Sequence, residues 1–135
     1  MEDFVPYKLA VKLEQKGFKQ GYNIFGYRPI FSDETTIRFI SEIGAYEKEY
    51  FGENIAAPTI SQILDWLREE KKIHFEFVAA AYGYNVIISQ TPEAGGTDLY
   101  YTHMNDDGPN DGGAWDKCED AALYCIEYVI DNNLI

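Results

Sequence analysis

The segment 55–77 constrains the fold more than any other part of the sequence, because it contains a complete helix followed directly by a strand. Pro58 and Thr59 suit a helix start, since threonine is a good N-cap and proline keeps the preceding residue extended. Apolar residues then recur at i, i+3, i+4 and i+7 as one stripe to be buried: Ile60, Ile63, Leu64 and Leu67, with Trp66 at its edge. Apolar and polar residues alternate over 73–77. The segment therefore predicts a helix over 59–72 that feeds a sheet.

Two further helices are predicted near the chain ends. Residues 4–16 have Pro6 in the first turn and a stripe of Leu9, Ala10 and Leu13, and Gly17 followed by Phe18 is a typical stop. Residues 115–131 form the last predicted helix. Its buried face consists of Cys118, Ala121, Ala122, Cys125, Ile126 and Val129.

The other segments indicate strands and turns. Residues 82–89 and 99–104 are predicted strands, joined by a turn over 91–97, and 105–113 form a polar, glycine-rich loop. Residues 22–31 indicate an edge hairpin interrupted at Pro29. Residues 32–43 suit a short helix or a strand almost equally, and both alternatives stay open. Residues 46–51 indicate another strand.

These elements predict an α+β protein with a single domain over 1–135. An antiparallel sheet of three to five strands is expected, with the three helices on one face and the other face open. The second half has the order helix-β-β-β-helix. The first residues are not basic, and no apolar run reaches about 18 residues. We therefore expect a soluble protein that is not exported, does not enter a membrane and lies in the cytoplasm.

Charge is distributed unevenly along the chain. Of its 23 acidic and 11 basic residues, 73–135 hold eleven acids but only Lys117 as a cation. Such a surface repels phosphates, so we expect no direct binding to nucleic acid. It would attract a basic protein, although acidic surfaces also simply keep proteins soluble. Homodimerisation through the open sheet face is an alternative association.

Tyrosines accompany these acids, as in many protein-binding surfaces, although tyrosine also suits half-buried strands. We therefore expect a non-enzymatic protein that binds a basic partner. In a sharper form, six acids stand in for phosphates and block a basic groove: Asp106, Asp107, Asp111, Asp116, Glu119 and Asp120. The predicted tyrosine contacts are Tyr82, Tyr84, Tyr100 and Tyr101.

Catalytic signatures are absent from the sequence. It has no phosphate-binding GxxxxGK[ST] or GxGxxG motif and no GxSxG motif, and no cofactor is predicted. Cys118 and Cys125 lie about 10 Å apart along the last predicted helix, too far for a disulfide, and are expected to be buried, inert thiols. Glu76 could form a carboxylate pair for acid–base chemistry with either Asp98 or Asp106.

The loop after His103 supports a second hypothesis from another class. Residues 103–113 are rich in oxygen ligands, so they could form a Ca²⁺ or small-molecule site, although the EF-hand register fails. A zinc site from His74 and His103 would need further ligands.

The sequence contains three distinctive blocks: AAPTISQILDWLREEKKIHFEF, LAVKLEQKGF and the Trp115–Ala121 stretch WDKCEDA. Together they resemble a group of small uncharacterised proteins of phages and mobile elements of gut Bacteroidetes. The sequence departs from that group at Ala114 and Trp115, where a Thr-Tyr start is usual, and in the acidic loop 105–113. The group has no established activity, so the resemblance implies an accessory protein of such an element and no mechanism.

Overall fold

The computed structural model describes residues 1, 3–18, 25–29, 35–39 and 55–135. It comprises two compact units, Glu2–Thr59 and Ile60–Ile135, the second of which also includes Met1. Both contain helical residues and antiparallel strands, so the predicted α+β class is confirmed. The single domain over 1–135 stays a prediction.

The first unit begins with helix α1, Tyr7–Gln15, which follows Pro6 as its N-cap residue. Leu9, Ala10 and Leu13 are its buried residues, as the sequence predicts. At the C-terminal end, Gly17 adopts a left-handed φ of 95°, and the Phe18 amide donates to the Leu13 carbonyl at 3.0 Å. This is the expected glycine stop, in which the chain folds back on the last turn.

A small antiparallel sheet completes the described part of this unit. Strand β1, Phe25–Pro29, pairs with β2, Thr35–Phe39, on one side and with the short β3, Ile55–Ala56, on the other. The strand alternative is thus confirmed for 35–39, and a helix there is wrong. The edge hairpin expected within 22–31 is wrong for its described residues 25–29, because they form one continuous strand at the centre of this sheet. Pro29 is the last residue of β1, and β3 pairs only with Gly26 and Tyr27. The N–H that proline lacks is therefore not needed for a bond to β3. The predicted strand over 46–51 lies outside the described residues.

The second unit has the predicted order of a helix, three strands and a last helix. Helix α2, Ile60–Glu70, leads into strand β4, Ile73–Ala80. Strand β5, Gly83–Gln90, pairs with β4 and with β6, Asp98–Tyr101, in antiparallel fashion. A single 3₁₀ turn, Pro92–Ala94, occupies the predicted turn before β6.

Two boundaries in this unit differ from the sequence prediction. The third strand does not extend to residue 104, because Thr102–Asn105 form a short helix, α3, after β6. The last helix, α4, is Cys118–Asp131 and does not start at residue 115. Trp115 instead forms an isolated antiparallel bridge with Tyr84. Main-chain pairing with β5 therefore overrides the helical pattern at Trp115.

The core of the second unit lies between the sheet and the helices. On one face of the sheet, Phe77 lies opposite Val86, and Ile88 lies opposite Tyr100. The side chains of Val86, Ile88 and Tyr100 are buried. Helix α2 contacts β4, and α4 contacts β5. These helices contribute the fully buried residues Ile60, Ile63, Leu67, Ala121, Ala122, Cys125, Ile126 and Val129. Leu64 and Cys118, predicted to be buried, are only half-buried.

Among the described residues, no helix has the length and apolar character needed to cross a bilayer.

Candidate functional site

The acidic loop after α3 is an ordered structure that folds back on itself. Asp106 ends α3 in the left-handed conformation, with φ 54°, which turns the chain away from the helix axis. The Gly108 amide then donates to the Gly113 carbonyl at 2.9 Å, and the Asn110 amide donates to the Ala114 carbonyl at 3.0 Å. Residues 106–114 therefore form a closed loop with main-chain hydrogen bonds across it.

A buried polar pair anchors this loop to β5. The Thr102 hydroxyl accepts the Val86 amide at 2.8 Å and lies 3.0 Å from the side-chain amide of Asn85. With its nitrogen directed at the loop, Asn85 donates to the carbonyls of Gly113 and Gly112 at 3.2 and 3.3 Å. Asn85 is only 4% exposed. Because a buried amide without partners is costly, this pair fixes the loop position.

Asn110 connects the loop to the β4–β5 turn and to the start of α4. Its side-chain nitrogen donates to the Tyr82 carbonyl at 2.8 Å and to the Asp116 carboxylate at 2.7 Å. Tyr82 lies in the turn, and Asp116 lies just before α4. One amide group therefore connects the loop to a turn 28 positions before it and to a residue six positions after it.

These three segments surround a shallow open depression of about 550 Å³. We call it the acidic depression. It is lined by Ala81, Tyr82, Gly83, Pro109, Asn110, Asp111 and Asp116. Tyr82 is 61% exposed, and both carboxylates are exposed as well. A side chain entering from outside would meet one aromatic ring and carboxylate oxygens, which accept hydrogen bonds from cations.

Of the ten residues predicted to contact a partner, the acidic depression brings together Tyr82, Asp111 and Asp116. The other three tyrosines lie elsewhere. Tyr84 is half-buried and pairs its main chain with Trp115. Tyr101 is half-buried, with its ring centroid 5.6 Å from that of His103.

Tyr100 belongs to the core of the second unit. It is 8% exposed and stacks on Tyr128 of α4 with a centroid distance of 4.0 Å. Its hydroxyl has no hydrogen-bond partner in the described parts of the chain. Because so little of the side chain reaches the surface, it offers almost no area to a partner protein.

The remaining predicted acids surround the same loop and the first turn of α4. Asp106 and Asp120 are exposed, whereas Asp107 and Glu119 are half-buried. Glu119 and Asp120 occupy the first turn of the helix, where negative charge is favoured by the helix dipole. Burial raises the pKa of Tyr124. The charge of Asp107, and the hydrogen bond that its carboxylate accepts from the Tyr124 hydroxyl, raise this pKa further. Asp107 therefore already interacts with a side chain of its own protein.

The two thiols do not form a nucleophilic site. Both cysteines are free of disulfides. Cys125 is fully buried, and burial, assisted by the charge of Asp107, raises its pKa to about 12. The pKa of Cys118 is raised as well, mainly by burial and to a smaller extent by the charge of Glu119. A thiol with a raised pKa stays protonated at neutral pH and is a poor nucleophile.

Of the two carboxylate pairs that the sequence offers, Glu76 with Asp98 is split between the two edges of the sheet. Glu76 lies on β4 opposite Ile87, whereas Asp98 begins β6 and accepts a hydrogen bond from Ser89 at 2.6 Å. With β5 between them, the two strands are about 10 Å apart. The two groups are thus not arranged as an acid–base pair around one bond.

The residues that the structure describes contain no group of three or more His, Cys, Asp or Glu side chains that could hold a metal ion. In the 103–113 loop, His103 Nδ1 lies 2.9 Å from the Gly112 carbonyl and Asn105 donates to the Tyr101 carbonyl at 2.8 Å. With Asn110 also bonded to Tyr82 and Asp116, these three side chains of the loop are already used in hydrogen bonds within the protein.

Sequence reasoning missed the residues that build this site. The sequence did not predict that Asn85, Asn110 and Trp115 position the loop: Asn110 was expected only as one of its oxygen ligands and Trp115 only as the start of the last helix. Asn110 follows Pro109 in a run of turn-forming residues, and that local signal predicts a turn but not its tertiary partners.

Comparison with known proteins gave no relative that could assign this site. No family model, no curated protein and no solved structure matches the chain.

Proposed function

We propose that this protein is a non-enzymatic protein-binding module that binds a basic partner at the acidic depression. The observation that supports the proposal best is the convergence of Tyr82, Asp111 and Asp116 around one open depression. These residues come from three segments, and the Asn110 side chain holds the segments together. A surface whose segments are connected by hydrogen bonds before binding has less conformational entropy to lose when it binds.

Charge favours a basic partner. Residues 73–135 carry eleven acids and Lys117 as the only cation. A field of this sign accelerates association with a positively charged surface, and screening by salt weakens it. Tyr82 would supply apolar contact area with a polar tip, as tyrosines do at interfaces. Lysine or arginine side chains of the partner would then occupy the acidic depression.

The loop hypothesis, a Ca²⁺ or small-molecule site centred on 103–113, has weaker support. His103, Asn105 and Asn110 are already used in hydrogen bonds within the protein. A ligand would have to compete with these bonds, which the proposed protein-binding surface leaves intact.

In its narrower form, the proposal makes the protein a nucleic-acid mimic. Asp106, Asp107, Asp111, Asp116, Glu119 and Asp120 would stand in for phosphates and occupy a basic groove of a nucleic-acid-handling protein. The resemblance to proteins of phages and mobile elements implies an origin in such an element. The partner would then be a basic host or element protein.

Affinity capture tests the proposal. Tagged protein is incubated with a lysate of gut Bacteroidetes cells at about 50 mM and about 500 mM salt, and retained proteins are identified. We expect a basic protein that is held at low salt and released at high salt. Purified, it should bind the wild type and lose at least about tenfold in affinity for an Asp111→Asn, Asp116→Asn double variant.

The matched control carries the same loss of charge on α2. Glu69→Gln with Glu70→Gln removes two exposed acids away from the acidic depression. This control should bind the purified protein within about twofold of wild type. Equal loss in both double variants would show a general charge effect and refute a specific surface at the acidic depression. For the mimic, DNA must compete with this protein for the partner, and failure to compete refutes that form alone.

A further inference from the structure

The sheet of the second unit has two edges that differ in how they are protected. Strand β6 has four residues and is followed at once by α3, whose Asn105 side chain donates to the Tyr101 carbonyl. Strand β4 forms the other edge and has eight residues. It contains no proline or lysine, which are the residues that commonly block an edge strand.

The hydrogen bonds of β5 show which main-chain groups of β4 point outward. The amides of Tyr84, Val86 and Gln90 donate to Trp115, Thr102 and Thr97, respectively, on the side of β5 away from β4. The main-chain N–H and C=O groups of the even-numbered residues of β5 are therefore directed away from β4. In an antiparallel pair, the residues opposite them also direct their N–H and C=O groups away from the partner strand. By the observed register, these residues of β4 are Ile73, Phe75, Phe77 and Ala79.

The outward main-chain groups of β4 have no hydrogen-bond partner in the described part of the chain. Among the described residues, no main-chain or side-chain group forms a hydrogen bond with the N–H or C=O groups of these four positions. Their side chains are only partly covered beyond Ile73, since Phe75 and Phe77 are half-buried and Ala79 is exposed. The edge thus offers a row of donors and acceptors together with apolar surface.

We propose that β4 accepts an extended basic segment of the partner protein as a fourth strand of this sheet. This inference rests on the proposed function, because the segment belongs to the same basic partner. Glu76 is exposed in the middle of β4, and a lysine or arginine directly opposite it would form a favourable cross-strand pair. Main-chain bonds would supply affinity, and alternate side chains would supply specificity.

The position of the edge connects it with the acidic depression. Strand β4 ends at Ala80, and the next residues, Ala81 and Tyr82, line the acidic depression. A segment that pairs along β4 and continues past its end therefore reaches Asp111 and Asp116. Strand pairing and charge recognition would then involve one continuous peptide.

A second copy of this chain is a less suitable strand. If two β4 strands pair antiparallel with Ile73 opposite Ala79, Glu76 lies opposite its own copy, and like charges opposite each other are unfavourable. Each copy also carries a net charge of −12. Self-association through β4 thus brings two strongly acidic molecules together, whereas a basic segment would offset part of the negative charge of one molecule.

A synthetic peptide tests the pairing directly. The probe is a fluorescein-labelled seven-residue peptide of alternating lysine and valine, compared with two N-methylated forms that lack alternate amides along one edge or along the other. One N-methylated form should lose binding entirely and the other should keep it, because only one edge of the peptide faces β4. All three carry the same charge.

Hydrogen exchange reports the site on the protein. The amides of Phe75, Phe77 and Ala79 should exchange fast in the free protein and become protected when the peptide binds. Ala79→Pro removes one outward amide without removing a bond to β5, and should weaken binding about three- to tenfold. Ala79→Thr keeps the amide and serves as the control. Circular dichroism and the exchange of inward amides check that both variants are folded.

Several outcomes would overturn the strand proposal. Equal binding of both N-methylated forms, or unchanged exchange at the three amides, would show that the peptide does not pair with β4. Protection of these amides in the free protein with a doubled mass in solution would assign the edge to a second copy. If the peptide binds without pairing but Asp111→Asn with Asp116→Asn still weakens it, the proposed function survives and only the strand inference fails.

Discussion

The main chains of Tyr84 and Trp115 bond to each other in both directions. The Tyr84 amide donates to the Trp115 carbonyl at 2.7 Å, and the Trp115 amide donates to the Tyr84 carbonyl at 3.0 Å. This bridge connects the start of β5 with the segment that precedes α4. It places Trp115 directly beside the β4–β5 turn and therefore beside the acidic depression.

Gly83, next to this bridge, should not tolerate a side chain. Its φ is 126°, and an added Cβ would lie 2.8 Å from the Trp115 carbonyl carbon and closer still to its oxygen. We expect Gly83→Ala to lower the free energy of unfolding by more than about 2 kcal/mol, as measured by urea denaturation. Gly96→Ala is the control, because its φ is also positive but the space around it is open. It should cost about 1 kcal/mol, and an equal cost for both variants would contradict the role of the bridge.

Replacing Asn110 should lower stability more than is usual for a residue near the surface. Asn110→Ala removes the bonds to the Tyr82 carbonyl and to the Asp116 carboxylate, so we expect a loss of about 1–2 kcal/mol in the free energy of unfolding. Asn132→Ala removes a single bond to the Tyr128 carbonyl near the end of α4 and should cost about 0.5 kcal/mol. The same urea titration compares them. Equal losses would show that Asn110 does not hold the loop.

The two thiols should differ in reactivity. Cys125 is fully buried with a pKa of about 12, whereas Cys118 is half-buried. At pH 8, iodoacetamide should label Cys118 of the native protein first and leave Cys125 unmodified until the chain unfolds. Mass spectrometry of tryptic peptides reads out the order. Labelling of Cys125 at the same rate would contradict its place in the core.

The raised pKa of Cys125 predicts a loss of stability in alkali. Its pKa rises from 9.0 to about 12 on folding, so the folded state holds the proton more tightly than the unfolded state. The stabilisation is fully present below about pH 9 and is lost progressively as pH rises toward about 12. The free energy of unfolding of Cys125→Ala should fall less between pH 8.5 and pH 10.5 than that of the wild type. Parallel curves would refute the linkage.

Local patterns were sufficient to predict most of the second unit. The stripe Ile60, Ile63 and Leu67, the turn before β6 and the buried face of α4 follow from periodicity and from glycine and proline positions. The errors occurred where long-range main-chain contacts override local preference. Trp115 fits a helix pattern, but its bonds to Tyr84 hold it extended, and a partner 31 positions away cannot be seen in a local pattern.

The candidate site was predictable in part. Tyr82, Asp111 and Asp116 were selected by residue type, and they do line one depression. The burial of Tyr100 was not foreseen, because a strand residue faces the core or the solvent according to register, and register depends on pairing with Ile88. The role of Asn110 was missed for a similar reason, since its partners Tyr82 and Asp116 become neighbours only in the folded chain.

The salt dependence of partner binding tests the central claim most directly. For the basic protein retained by affinity capture, the dissociation constant is measured at several salt concentrations with the wild type, with Asp111→Asn and Asp116→Asn, and with Glu69→Gln and Glu70→Gln. The account predicts that the acidic-depression variant binds more weakly at low salt and loses part of its salt dependence, while the α2 variant follows the wild type. Identical curves for all three proteins would contradict binding at the acidic depression.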